Sequence, residues 1–245
     1  SSLIASSNAV VFSYVLYLIG KYDYKVPSIK LNKIIRKWIF MSTITGFYTG
    51  STESEVEKQF ADLRKISKAD DFISYLDTII SNRFTDDYFT VSLPSELNSS
   101  SATSPAWYGY VAALNVLGTP MLFSTEPLSQ YFIMGTNGDK SAIDKHHIFP
   151  KHYLQSIGYD DDRDRNQIAN FTYLDYVTNI EISDTSPLEY VQKYRQKLGQ
   201  EAFNLTCEQN ALPLNFETLS YSEFLKQRRL LMAQIIKKAY AKLDS

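Results

Sequence analysis

The stretch IDKHHIFP, residues 143–150, decides how the centre of this chain folds. It contains His146 and His147, two of the three histidines in the sequence, and His152 follows closely. We interpret residues 142–148 as a strand that carries the histidine pair. The rest of the chain is expected to form a scaffold around it.

A second polar stretch, NFTYLDYVTN at residues 170–179, follows a loop that is rich in aspartate. Residues 171–174 are aromatic and β-prone, which predicts a strand that pairs with the first one. From residue 175 to residue 182 the pattern turns helical. The order is therefore strand, polar loop, strand and helix, with Asn170 on the second strand and Asn179 near the start of the helix.

Helices are expected over most of the remaining chain, because apolar residues return at spacings of three and four and cap residues precede them. Ser104-Pro105 and Ser186-Pro187 each place a capping serine before a proline at the first helical position. The expected helices cover residues 8–19, 31–48, 52–63, 70–82, 105–118, 187–198 and 220–243.

Two segments are less regular. Residues 83–103 are expected to form a loop, because Pro94 and a serine run interrupt them. Residues 121–134 suit either a short strand or another helix. The predicted fold class is mainly α (α+β). The predicted regions are a helical scaffold at 1–120, a module that contains the hairpin at 121–200, and a C-terminal helical region at 201–245 that packs on the scaffold.

Length and composition indicate a globular protein, with 245 residues of which 44% are hydrophobic and 21% charged. The net charge of -2 counts mildly against autonomous tight DNA binding but leaves room for a local basic groove. The longest apolar run, residues 9–19, is about half of what spans a bilayer, so we expect no membrane association. The single cysteine, Cys207, excludes an intrachain disulfide and fits a reducing cytoplasm, which is the expected location.

The polar residues suit phosphodiester hydrolysis. That reaction needs a base to deprotonate water and a metal ion to neutralise charge on the phosphate and the leaving oxygen. Adjacent strand residues project to opposite faces, so His146 and His147 are expected to divide the tasks of ligand and base. Asn179 can reach a metal through its amide oxygen, and Asn170 can hold a loop or orient the base.

These residues resemble the HNH (ββα-metal) endonucleases over about forty residues. The run HHIFP at 146–150 is similar to that family's Asp/His-His-Ile-x-Pro, and the run NFTYL at 170–174 is similar to its Asn-x-x-x-Leu strand. The resemblance implies a helical scaffold with an embedded ββα-metal hairpin and helix. It implies His147 as the general base and Asn170 as the residue that fixes the hairpin and the base.

The same resemblance implies that His146 and Asn179 bind a divalent metal ion. His146 stands where many members have a carboxylate, and Asn179 where many have histidine. Both protein ligands are therefore neutral, and the ion is expected to be held loosely until substrate phosphate joins it. We expect Mg²⁺ or Mn²⁺, with Zn²⁺ or Ni²⁺ as alternatives.

The flanking residues are similar to the C-terminal nuclease half of GmrSD-type, modification-dependent restriction endonucleases. In that family an N-terminal half that hydrolyses nucleotide and senses DNA precedes the nuclease. Nothing in this chain resembles that half, so it is expected as a separate domain or subunit. The resemblance implies an anti-phage effector that nicks or cleaves double-stranded DNA without reading base edges. The similar segments are Arg36-Lys37-Trp38, residues 46–51, residues 186–190 and residues 224–229.

Lys145, Lys151 and Arg165 are close enough in sequence to the histidines to contact phosphate. Equally, Arg163 and Arg165 can balance the aspartates of the polar loop. His152 lies outside the motif and is expected at the surface or in a supporting role. The alternatives to a DNA endonuclease are a non-catalytic DNA-binding or regulatory domain with a degenerate HNH hairpin, and an HNH toxin or RNase.

Overall fold

The computed structural model describes residues 7–132 and 143–244, with the backbone alone at 131–132 and 143–144. The chain is mainly helical, with 69% of residues in helices and 4% in strands, which confirms the mainly α prediction. The described helices are α1 (Ser7–Tyr22), α2 (Ser28–Ile44), α3 (Thr52–Leu63), α4 (Ala69–Arg83), α5 (Leu93–Glu96), α6 (Pro105–Leu117), α7 (Lys151–Ser156), α8 (Asp162–Arg165), α9 (Tyr176–Ile182), α10 (Pro187–Leu198), α11 (Gln200–Gln209) and α12 (Tyr221–Lys242).

The two described strands are β1 (Ile143–His147) and β2 (Phe171–Asp175). They pair antiparallel, with Ile143 opposite Asp175 and His147 opposite Phe171. Helix α9 follows β2 directly. Between the strands the sequence predicted a polar loop, but the structure has the short helices α7 and α8 there. Residue 142, where the predicted first strand begins, lies outside the described residues, as do residues 133 and 134 of the ambiguous segment.

Helical turns replace the loop that the sequence predicted at 83–103. A π-helical turn at Tyr88–Ser92 runs into α5. Phe89, Leu93 and Leu97 are buried and lie four residues apart, so they form one apolar stripe that favours a helix. The helical segment continues through Pro94, which is the second residue of α5 and follows directly after the π-helical turn. The prediction of a loop gave too much weight to Pro94 and to the serine run.

A close approach of two helices lies at the centre of the scaffold. Helix α2 packs against α1, α4 and α6. Where α2 meets α6, a Cβ atom added to Gly109 would overlap the side chain of Ile44. Gly109 is therefore the residue that lets the two helix backbones come this close.

Helix α12 packs along α6 and reaches both α5 and the 3₁₀ turn Ile168–Asn170. Its Arg228 is fully buried, and Nη1 donates a hydrogen bond to the carbonyl of Ala169 at 2.7 Å. The C-terminal helix thereby anchors the residue that precedes Asn170. The division of the chain at 120 and 200 stays an interpretation of the sequence.

Helices from both halves of the chain cover the hairpin. A two-stranded hairpin is marginally stable alone in water, so it needs this support. On one side Trp107 of α6 packs against Phe171, with ring centroids 5.8 Å apart. On the other side Phe149 packs against Phe224 of α12 at 4.7 Å, and the hydroxyl of Tyr190 donates to the carbonyl of Ile148 at 2.7 Å.

None of the described helices is long and apolar enough to cross a bilayer.

Candidate functional site

An open cavity of about 460 Å³ lies at the end of β1, beside the first turn of α7 and the last turns of α9. Its lining brings together His146, His147 and Asn179, which the sequence had assigned to one site, and also Lys151. The two polar stretches of the sequence therefore meet at one cavity. The other lining residues are Pro150, His152, Ile180, Ser183 and Asp184.

A larger cavity of about 1060 Å³ lies between α6, α11 and α12. Leucine side chains form much of its wall, and its described lining contains no histidine. Size alone would favour this cavity as the site. We select the smaller one because catalytic chemistry depends on convergent polar groups rather than on volume.

His147 is held by the side chain of Asn166. The imidazole Nε2 lies 3.0 Å from Asn166 Oδ1, and the ring also packs edge-on against Phe171. An amide oxygen can only accept a hydrogen bond, so Nε2 carries the proton in this pair. In neutral imidazole the other nitrogen, Nδ1, then keeps its lone pair and is the atom able to accept a proton from water.

The surroundings of His147 favour the neutral imidazole. Burial is the main reason why the pKa of His147 is lowered to about 4, and the hydrogen bond to Asn166 opposes this shift. The positive charges of Lys151 and Lys145 and the neighbouring His146 contribute to the lowering. The ring is therefore uncharged near neutral pH, which is the protonation state that a general base needs.

Asn170 lies beneath the site and is fully buried. Its Oδ1 accepts a hydrogen bond from the N–H of Phe149 at 2.8 Å, and its Nδ2 donates to the carbonyls of Phe149 at 3.0 Å and Arg165 at 3.2 Å. These bonds tie the turn after β1 to the loop before β2, as expected for a residue that fixes the hairpin. The described bond to the His147 ring comes from Asn166 instead, so Asn170 acts on the hairpin backbone.

Asn179 is carried to the cavity by α9. Asp175 caps this helix, because its Oδ1 accepts from the N–H of Thr178 at 2.9 Å and its Oδ2 from the Thr178 hydroxyl at 2.7 Å. Thr178 and Ile182 form the buried face of the helix, and Asn179 is half-buried beside them. The cap and this buried face set the rotation of α9 that turns Asn179 toward the cavity.

The three predicted phosphate contacts lie in different surroundings. Lys151 lines the cavity, and its Nζ is 3.7 Å from Asp162. Lys145 Nζ lies 4.2 Å from the ring centroid of Phe171, and burial together with Lys151 lowers its pKa. Arg165 is outside the cavity lining. Its side chain is 12% exposed, and Nη2 contacts Asp162 at 3.0 Å, so it balances an aspartate of the polar loop as the alternative interpretation described.

Sequence reasoning assigned no role to Asn166, Ser183 or Asp184. Asn166 lies in the polar loop, and nothing in the spacing indicates which loop residue turns back to the histidine. Ser183 and Asp184 follow the end of α9. Ser183 has a φ of 46° and a ψ of -121°, a conformation that favours glycine. This strained residue borders the cavity.

The cavity lining includes side chains with nitrogen and oxygen donor atoms. The imidazole of His146, the amide of Asn179 and the carboxylate of Asp184 offer nitrogen and oxygen donors of the kinds that first-row divalent ions accept. In the described parts of the chain, no three His, Cys, Asp or Glu side chains form a potential metal cluster. The predicted pair of one histidine and one asparagine is not such a cluster, so this finding does not bear on it.

The chain is similar to an uncharacterized protein of Methanocaldococcus jannaschii, with 26% identity over 160 residues. These residues are 65% of this chain and 25% of the relative, so the match spans about a quarter of the length of that protein. No protein-family profile matches the chain, and no solved structure does.

Proposed function

We propose that this chain is a divalent-metal-dependent DNA endonuclease with an HNH (ββα-metal) site formed by β1, β2 and α9. The observation that carries the proposal is the meeting of His146, His147 and Asn179 at one cavity. Their spacing in the sequence had selected them, and they lie on two separate elements, β1 and α9. A shared reaction requires this kind of convergence.

His147 is the general base in this mechanism. Its Nδ1 takes a proton from a water molecule, and the resulting hydroxide attacks the phosphorus in line with the 3′ oxygen. A new P–O bond forms, the bond from phosphorus to the 3′ oxygen breaks, and that oxygen leaves. Asn166 contributes by holding Nε2–H, so that the basic nitrogen is always the other one.

His146 and Asn179 are the proposed ligands of a divalent cation, Mg²⁺ or Mn²⁺ before Zn²⁺ or Ni²⁺. When bound, the cation supplies positive charge to the phosphate and to the departing oxygen. Lys151, which lines the same cavity, adds a further positive charge near the phosphate. Asn170 keeps the backbone around the histidines rigid.

The wider context of the proposal comes from the sequence resemblance. We propose a cytoplasmic effector of a modification-dependent anti-phage system that cuts double-stranded phage DNA. It would act with a separate domain or subunit that hydrolyses nucleotide and senses DNA. Since the archaeal relative is about four times as long as the matching region, that region is one part of a longer chain there.

Nicking of supercoiled plasmid tests the chemistry. With Mg²⁺ or Mn²⁺ present, we expect His147→Ala to lower the nicking rate by about 10² to 10⁴ fold, the usual contribution of a general base. His152→Ala is the matched control, because it removes the same type of side chain from the same cavity without touching the proposed base. Equal loss in both variants would contradict the assignment of His147.

Metal binding separates the ligands from the base. Titration with Mn²⁺ followed by electron paramagnetic resonance should show weaker binding in His146→Ala and in Asn179→Ala. Binding should persist in His147→Ala, whose ring is not assigned to the ion. Unchanged binding in both ligand variants would refute the proposed metal site independently of activity.

The alternatives have distinct outcomes in the same experiments. Plasmid that stays intact with all metals, and also with modified DNA and a sensing partner, would favour a non-catalytic DNA-binding domain. Cleavage of RNA together with intact DNA would favour a toxin or RNase.

A further inference from the structure

Helix α9 carries an exposed apolar surface next to the candidate site. Tyr176, Val177 and Ile180 are 45%, 63% and 58% exposed, although all three are large hydrophobic residues. Residues three and four apart on a helix are neighbours, so Ile180 adjoins both others. The opposite face of α9, with Thr178 and Ile182, is the one that packs into the protein. Packing of the described chain therefore does not explain the exposed face.

This apolar surface is continuous with the cavity. Ile180 lines the cavity directly beside Asn179, and the surface extends from there over the outside of the helix. The lining also includes the polar side chains of His146, His147 and Lys151. The open site thus combines a lysine and two imidazoles with the hydrocarbon of Ile180, and Tyr176 and Val177 continue the apolar surface beyond the cavity lining.

The polar and the apolar groups suit two parts of one ligand. A phosphate placed beside Lys151 meets a positive charge, and its attached sugars and bases extend away from it. Apolar side chains cannot bind a phosphate, but they contact sugar carbons and the faces of unstacked bases well. Lys145, which is close enough to Lys151 for their charges to interact, extends the cationic side. A nucleic acid therefore matches the combined surface better than an apolar protein segment, which would leave the lysines without a role.

We propose that Tyr176, Val177 and Ile180 form a contact surface for the sugar and base of the nucleotide beside the scissile phosphate, and that they hold this base out of its stack. This inference rests on the proposed nuclease function. The contact favours DNA in which a base leaves the stack at low cost, such as mismatched duplex, single strands and pyrimidine–purine steps. The site then reads the deformability of the DNA in addition to its backbone.

The test uses the double variant Val177→Ser/Ile180→Ser in the full chain. Leu205→Ser is the matched control, because Leu205 is 53% exposed on α11 and does not line the cavity. All the substituted residues are exposed, so folding should be preserved, and urea denaturation checks this. The first measurement is the fluorescence of 2-aminopurine in a short DNA duplex, with His147→Ala present in every protein so that the DNA stays uncut.

Binding of the protein with α9 intact should raise the fluorescence several-fold, since 2-aminopurine brightens when it leaves the stack. The double variant should lose most of this rise and bind about tenfold more weakly, because two apolar side chains no longer bury their surface against the sugar and base. With His147 restored, the double variant should nick paired duplex about tenfold more slowly and recover most of its rate when the duplex contains a mismatch.

The outcomes separate the two proposals. If the chain nicks DNA in a His147-dependent manner but the double variant matches Leu205→Ser in fluorescence and rate, the contact surface is refuted and the nuclease proposal stands. If the chain neither binds nor cuts DNA, both are refuted. A double variant that cuts normally but no longer binds a partner protein would assign the surface to that partner and overturn the inference.

Discussion

Asn170→Ala offers a quantitative test of how the site is held together. The side chain is fully buried and makes hydrogen bonds to three backbone groups, which are the N–H and carbonyl of Phe149 and the carbonyl of Arg165. Alanine removes all three bonds and leaves the N–H and carbonyl of Phe149 without this partner, whereas the carbonyl of Arg165 still accepts from the hydroxyl of Tyr221 at 3.3 Å. A buried polar group left unsatisfied costs about 1–3 kcal/mol. We therefore expect the free energy of unfolding to fall by about 4 kcal/mol.

Urea denaturation followed by circular dichroism measures this loss, and an unchanged m-value shows that the same surface is exposed on unfolding. Asn210→Ala is the matched control. Asn210 is also a buried asparagine, but its amide donates only to the carbonyls of Pro120 and Thr206, at 3.3 and 3.0 Å, and it lies far in sequence from the hairpin. We expect Asn210→Ala to cost about 1–2 kcal/mol.

The comparison also has a functional outcome. At a temperature where both variants remain folded, Asn170→Ala should lose nicking activity, whereas Asn210→Ala should retain it, because only Asn170 positions the turn that follows His147. Equal losses of stability in the two variants would refute the reasoning that Asn170 bridges the two segments. Full activity of Asn170→Ala would refute its role in positioning the histidines.

Further predictions concern single contacts. Asn166→Ala should slow nicking by about 10- to 100-fold, because His147 loses the partner that fixes its tautomer. Asn166→Asp keeps a hydrogen-bond acceptor and should restore most of the rate. Equal nicking rates for wild type and Asn166→Ala would exclude this role. Gly109→Ala should lower the thermal midpoint and reduce the free energy of unfolding by about 1–3 kcal/mol, because the added methyl group overlaps Ile44. When Ile44→Ala is added, the double variant should lose less stability than the sum of the two single losses. Ser183→Gly should stabilise the protein by about 1 kcal/mol in urea denaturation, because glycine relieves the positive φ, and Ser183→Ala should give no gain.

The parts of the fold that local patterns determine were predictable. Helices α3 and α10 begin and end where the sequence predicted, at 52–63 and 187–198. In α10 the Ser186 side chain accepts from the N–H of Glu189, so the cap marks the start of the helix as expected. Strand β2 was predictable for a related reason, since its aromatic and β-branched residues favour a strand.

The parts that tertiary contacts determine were not predictable. The polar loop shows this, since spacing alone left Arg165 as a phosphate contact or a partner of aspartate, and only the fold shows its pairing with Asp162. Asn166 reaches His147 because the loop turns back on β1, which no local pattern encodes. Helix α11 was not predicted because its short sequence alternates small, polar and apolar residues without a strong cap, and the burial of Phe203 and Cys207 stabilises it.

The packing of helices over the hairpin has a consequence for the order in which its contacts can form as the chain is synthesised. The hairpin and the 3₁₀ turn before β2 are supported by Trp107, which is made before them, and by Phe224 and Arg228 of α12, which are made after them. Until α12 has been made and has packed, the hairpin lacks the contacts that Phe224 and Arg228 provide. The final arrangement of the hairpin therefore depends on residues that are made after its own strands.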